Sequence, residues 1–253
     1  MTHSPLLIDI GNTALKFCFE EDLSSMKYET LKHGEFNVTE LLNRLNKNNE
    51  ISLIALSTVY VDSVTNLIKQ WCKDNHAELL QVKSEAKFKS LINGYQKPND
   101  LGVDRWLSMI ALNDEMSQPY TVISCGTAIT LDCVDPQGVH MGGVIMPGID
   151  LMVKSLVQDT MAINEVVNDT NSVSDDFVGL AKNTSNAVDV GILLAITGMI
   201  EKAISKVDMK KNKIFLTGGN SKVIKKNLNL DVEIRPGLVL NGLAIYLRRE
   251  LSV

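Results

Sequence analysis

The chain has 253 residues, 45% of them hydrophobic and 22% charged, with a formal net charge of -5 and a pI near 5.4. That length can bury a sizeable core in two packed lobes, and the acidic balance offers no basic field for nucleic acid. Four cysteines without a CxxC pair and four scattered histidines argue against a disulfide framework or a structural metal. With no signal-peptide pattern and no apolar run approaching about 20 residues, the expectation is a soluble cytoplasmic protein that does not enter a membrane.

In chain order, Leu6 to Ile8 is a short apolar run, Gly11-Asn12-Thr13 turns, and Leu15, Phe17 and Phe19 alternate with Lys16 and Cys18. This reads as strand, turn, strand. Helical patterning over 38–47, a β-like stretch over 51–59 and an amphipathic helix over 63–75 follow. Residues 95–101, with Pro98, Asn99 and Asp100, read as a loop, and 104–115 as a helix. At Thr121 the opening pattern returns: Thr121 to Ile123, a Gly126-Thr127 turn, then Ile129, Leu131 and Cys133 alternating with Thr130 and Asp132. Gly126 lies 126 − 11 = 115 residues after Gly11, close to half the chain. The expectation is a duplicated α/β protein with lobes at 1–118 and 119–253. A strand over 140–147, a long helix over 186–206, a strand over 213–216 and a helix over 238–248 complete the pattern. The long helix carries Ala187, Gly191 and Ala195 every four residues, a stripe that could receive another helix, within the fold or from a second copy.

Five short segments could carry chemistry. Asp9 ends a strand before a turn with unhindered amides, and Lys16 follows. Such a turn can cradle phosphate while the carboxylate holds hydrated Mg²⁺, although Gly-Asn also suits a plain hairpin. Gly102-Val103-Asp104-Arg105 places an acid and a base at a loop-to-helix junction. Asp104 there is either a helix cap or a group that accepts a hydroxyl proton, with Arg105 as a clamp for an anion. Ser124-Cys125-Gly126-Thr127 forms the second hairpin turn. A rival reading makes Cys125 a nucleophile with His140 as its base, but no third orienting residue is evident. Gly142-Gly143 before Pro147-Gly148, and Thr217-Gly218-Gly219, permit close backbone approach to a ligand or simply turn the chain. P-loop, dinucleotide-binding, zincin and α/β-hydrolase signatures are absent from the sequence.

In this order and spacing, DxGNTxxK, GxDR, CGTAxTxD, GGxIxPG and TGG resemble type III pantothenate kinase, of the acetate and sugar kinase/Hsc70/actin superfamily, over about residues 6–245. The resemblance implies a duplicated actin-like (ribonuclease H-like) fold, two lobes around a central nucleotide cleft. It implies ATP-dependent phosphorylation of pantothenate to 4′-phosphopantothenate, the first step of coenzyme A biosynthesis, by a homodimer. On this resemblance Asp9, Ile10, Gly11, Asn12, Thr13, Ala14, Leu15, Lys16 and Thr127 would bind ATP, with Asp9 supporting Mg²⁺ through water. Tyr95, Gly102, Val103, Asp104, Arg105 and Thr184 would bind pantothenate, and Asp104 would be the general base. Many relatives carry Asp where this chain has Ser124, as a ligand for a monovalent cation such as K⁺ or NH₄⁺. A hydroxyl lacks that charge, so weaker or absent K⁺ activation is expected here. Two other readings use the same fold: a kinase of another small hydroxy acid or sugar, and a non-catalytic regulatory protein.

Overall fold

The computed structural model describes residues 4–59, 63–116, 119–159, 179–206 and 212–252, with backbone alone at 48, 49 and 159. The chain divides into two compact units. The first comprises Met1–Ser117, Pro136–His140 and Gly237–Val253, and the second Gln118–Asp135 and Met141–Pro236. A single cut at 118/119 therefore does not describe it: the last helix and a short return belong with the first unit.

The first unit opens with β1 (Leu6–Ile10), β2 (Ala14–Phe19) and β3 (Glu29–Lys32), an antiparallel meander. Helix α1 (Val38–Asn49) leads to β4 (Leu53–Thr58), and α2 (Ser63–Asp74) to β5 (Glu78–Gln81). Strand order is β3-β2-β1-β4-β5, with β1, β4 and β5 parallel. Strand β1 is central and buried throughout, which is why its sequence is a nearly unbroken apolar run. Asn37 caps α1 by accepting the N–H groups of Thr39 and Glu40 at 3.0 and 3.2 Å. Leu6, Ile8 and Ile10 join a core with Leu42, Ile68 and Trp71 of α1 and α2. Alternation along the strand puts Leu7 and Asp9 on the opposite face. After the short hairpin β6 (Lys87–Phe88) and β7 (Leu91–Ile92), that side is served by α3 (Val103–Glu115).

The second unit repeats the plan. It contains β8 (Tyr120–Cys125), β9 (Ala128–Val134), β10 (His140–Pro147, all but its first residue), α4 (Ile149–Asp159), α5 (Thr184–Lys206), β11 (Lys213–Thr217), α6 (Ser221–Asn227) and β12 (Val232–Ile234). Its order, β10-β9-β8-β11-β12, matches the first sheet strand for strand. Ile192, Ile196 and Ile200 of α5 pack with Ile123, Ile129 and Leu216 of the sheet.

Helix α7 (Leu238–Leu251) returns the chain to the first unit, against α3, β1 and β4. The two helices nearly touch backbones at Gly242, where a Cβ would lie 2.0 Å from the Leu107 carbonyl oxygen. That close approach explains why the closing helix leaves the half in which the sequence alone would place it. Among the described residues no helix is long and apolar enough to cross a membrane.

Candidate active site

Asp9 is the one charged residue in β1, and the sheet register builds a row around it. Lys16 of β2 lies directly opposite on one side and Ser57 of β4 on the other. Residues paired in this way present their side chains to the same face. Ser57 is fully buried, and its Oγ donates to Asp9 Oδ1 at 2.9 Å. Asp9 is itself only 7% exposed. Burial pushes its carboxyl up from 3.8 to about 6; Lys16 opposes this, the Asp104 charge adds to it, and the Ser57 hydrogen bond lowers it. A carboxylate held this far from water favours a cation partner, which would replace lost hydration. Among the described residues no cluster of three His, Cys, Asp or Glu could hold a metal. Mg²⁺ sites built from one carboxylate, water and substrate phosphates need no such cluster, so Asp9 fits that role.

Beyond Asp9 the chain turns through Gly11, Asn12 and Thr13, closed by the Gly11 N–H donating to the Ala14 carbonyl at 3.0 Å. Asn12 and Thr13 are exposed at its tip. Unhindered amides beside a buried carboxylate and a lysine suit the oxygens of a polyphosphate.

At the start of α3 the cap is Gly102, and Asp104 is the second residue of the helix rather than its cap. Its Oδ1 accepts the Arg105 N–H at 2.9 Å, and a Cβ at Gly102 would lie only 2.7 Å from that oxygen. Glycine thus gives the carboxylate its place over the first turn. Asp104 is half-buried, so it is not fully withdrawn from solvent. Arg105, 5% exposed, donates from Nη1 to Tyr95 Oη at 2.8 Å, with its guanidinium 5.6 Å from the ring centre. Tyr95 also stacks on buried His140, ring centres 5.7 Å apart and planes within 13°. The structure therefore brings Tyr95, Gly102, Asp104 and Arg105 together. Beside them, a cavity of about 410 Å³ opens at the carboxyl ends of β4 and β5, lined by Thr58, Gln81, Lys83, Ser84, Gly102 and Val103.

In the second unit the corresponding row is Thr130, Ser124 and Thr217. Measured from Asp9 to Ser124 the repeat is 124 − 9 = 115 residues, and from Lys16 to Thr130 it is 130 − 16 = 114, so the second turn is one residue shorter. Thr127 sits in that turn, half-buried. The Thr217-Gly218-Gly219 turn folds back so that the Asn220 N–H donates to the Cys125 carbonyl at 3.1 Å. Cys125 is fully buried, and burial pushes its thiol up to about 12, which argues against a nucleophilic thiolate there. Thr184 is exposed at the first turn of α5, on the helix face that carries Ala187, Gly191 and Ala195.

Sequence reasoning missed Ser57 and His33. Ser57, with Thr58, makes the polar end of an otherwise apolar strand, and the parallel register from β1 is what gives Ser57 meaning. His33 follows a four-residue strand with no local signal.

A profile of the type III pantothenate kinase family matches residues 5–206. Curated relatives named type III pantothenate kinase include one from Nitrosococcus oceani, 31% identical over 94% of this chain and 92% of the relative. Another, from Acinetobacter baumannii (strain ACICU), is 32% identical over 96% of each chain. Among solved structures, a Campylobacter jejuni protein described as of the Baf transcriptional activator family covers 98% of this chain and 100% of its own, at TM-score 0.63 and 18% identity. The activator of 2-hydroxyisocaproyl-CoA dehydratase from Clostridium difficile, solved with bound ADPNP, covers 99% of this chain and 98% of its own, at 0.53 and 11%. At such identities the structural likeness speaks for the duplicated actin-like fold alone. By sequence, the chain belongs to the type III pantothenate kinase family.

Proposed function

We propose that this chain transfers the γ-phosphoryl group of ATP to the primary hydroxyl of pantothenate, giving 4′-phosphopantothenate and ADP for coenzyme A synthesis. The observation that carries the reading is the Lys16–Asp9–Ser57 row beneath the Gly11 turn, in the same unit as Asp104 and close enough for the Asp104 charge to act on Asp9. Phosphoryl transfer needs positioning and charge neutralisation more than covalent help. Residues 9–16 serve the phosphates, and Lys16 offsets negative charge on the transferred group. Mg²⁺ held through water on Asp9 would supply further neutralisation. Asp104 accepts the hydroxyl proton as the hydroxyl oxygen bonds to phosphorus and the bond to the ADP oxygen breaks. Arg105, fixed by Tyr95, faces the pantothenate carboxylate with a planar donor fork, and Gly102 and Val103 border the recess for the acceptor. Thr127 contributes a further contact to ATP, and Thr184 one to pantothenate.

Ser124 offers a hydroxyl where the family resemblance implies a carboxylate, so K⁺ or NH₄⁺ binds weakly and activates little. The chain works in the cytoplasm as a homodimer. Its seam is the exposed Ala187, Gly191 and Ala195 stripe, which borders a cavity of about 530 Å³ with Met152 and Leu156. The test is ADP release from the purified chain with Mg²⁺ and ATP against a panel of small hydroxy acids and sugars. Pantothenate is expected to be preferred, with similar rates in KCl and in a non-activating salt. Faster turnover of another acceptor would transfer the reading to that compound, and no acceptor-dependent turnover would end it.

A further inference from the structure

His33 touches the Gly11 turn twice. Its backbone N–H donates to the Thr13 carbonyl at 3.0 Å, and its side-chain Nε2 lies 2.8 Å from the Gly11 carbonyl oxygen. A carbonyl only accepts, so Nε2 carries the proton and donates. Half-buried, with the Phe36 ring centre 6.3 Å from its own, the imidazole is held at the edge of the turn. The Gly11–Asn12 peptide is trans, so its C=O and N–H point in opposite directions. Fixing the Gly11 carbonyl toward His33 therefore aims the Asn12 N–H away from it. Among the described residues that N–H meets no backbone or side-chain acceptor.

We propose that His33 is a positioning residue for the nucleotide: it locks the Gly11–Asn12 peptide so that the Asn12 N–H is presented to a phosphate oxygen of ATP. This rests on the reading of the turn as the phosphate site. Without the clamp the peptide can rotate, and each nucleotide must select the competent orientation from several, which weakens binding.

The experiment compares steady-state kinetics of His33→Ala, His33→Gln and His33→Asn with wild type, alongside Lys16→Ala as a control on the turn itself. Gln places an amide nitrogen four bonds from Cα, as His places Nε2, whereas Asn falls one bond short. His33→Ala is expected to raise KM for ATP about 3- to 10-fold, the worth of one hydrogen bond, and to leave KM for pantothenate unchanged. His33→Gln restores KM for ATP and His33→Asn does not. Should His33→Ala fail to fold, the Gln and Asn pair decides between clamp and packing. If Lys16→Ala raises KM for ATP while the His33 variants do not, or if Gln and Asn behave alike, the clamp is wrong and the turn reading stands. If Lys16→Ala also leaves KM for ATP unmoved, the turn is not the phosphate site and the clamp falls with it.

Discussion

The two hairpins share a backbone plan and carry opposite chemistry. In the first, Lys16, Asp9 and Ser57 form a row across three strands; in the second, Thr130, Ser124 and Thr217 occupy the same places. One row holds a carboxylate and an ammonium, the other only hydroxyls. Strand order and the cross-strand row are common to both units although the second turn is one residue shorter, and the charged side chains stand in one row only. The comparison teaches that one strand plan can carry two rows of different polarity, and that the charged row, not the hydroxyl row, suits a metal-bound polyphosphate.

The largest effect expected is on the chemical step. Asp104→Asn keeps the shape over the first turn of α3 and removes the base, so kcat should fall by about 10²–10⁴; steady-state assays at saturating ATP and pantothenate would show it. Retained turnover would move the base elsewhere.

Asp9 offers a contrast between stability and activity. Its carboxyl is raised from 3.8 to about 6 in the folded chain. Between those values the folded state holds the proton more tightly than the unfolded state, so stability without Mg²⁺ falls as pH rises from about 4 to 6 and then levels. Asp9→Asn removes that loss. It should stabilise the metal-free protein by about 1–3 kcal/mol at pH 8, with the advantage vanishing near pH 4, while abolishing Mg²⁺-dependent activity. Urea unfolding across this range tests the sign.

Putting charge into the second row should move it toward the first. Ser124→Asp is expected to tighten apparent K⁺ affinity at least about tenfold and to produce KCl activation where wild type shows little. A salt titration with no change would separate the cation from this position. The smallest effect concerns the acceptor side, where Tyr95 stacks on His140. His140→Ala should raise KM for pantothenate about 3- to 10-fold without moving KM for ATP, and His140→Phe should retain the stack.

The hairpins were legible in the sequence because a glycine turn between alternating apolar residues is a local signal, and it occurs twice at nearly the same spacing. At the start of α3 the sequence leaves Asp104 open between helix cap and proton acceptor; the cap is Gly102, which removes the first alternative. Strand β3 was not legible: four residues, mostly exposed, carry too little periodicity. The placement of α7 was hidden because it depends on Gly242 meeting Leu107 across more than a hundred residues. Ser57 and His33 act through partners 48 and 22 positions away, and no local pattern announces such pairings.

The central claim is that the first hairpin binds the nucleotide and Asp104 serves the chemistry. Calorimetric titration of the intact protein with a non-hydrolysable ATP analogue, with and without Mg²⁺, tests this most directly in wild type, Asp9→Asn and Asp104→Asn. The account predicts that Asp104→Asn binds as wild type does, while Asp9→Asn loses the Mg²⁺-dependent part of the affinity. Undiminished Mg²⁺-dependent binding by folded Asp9→Asn would contradict it.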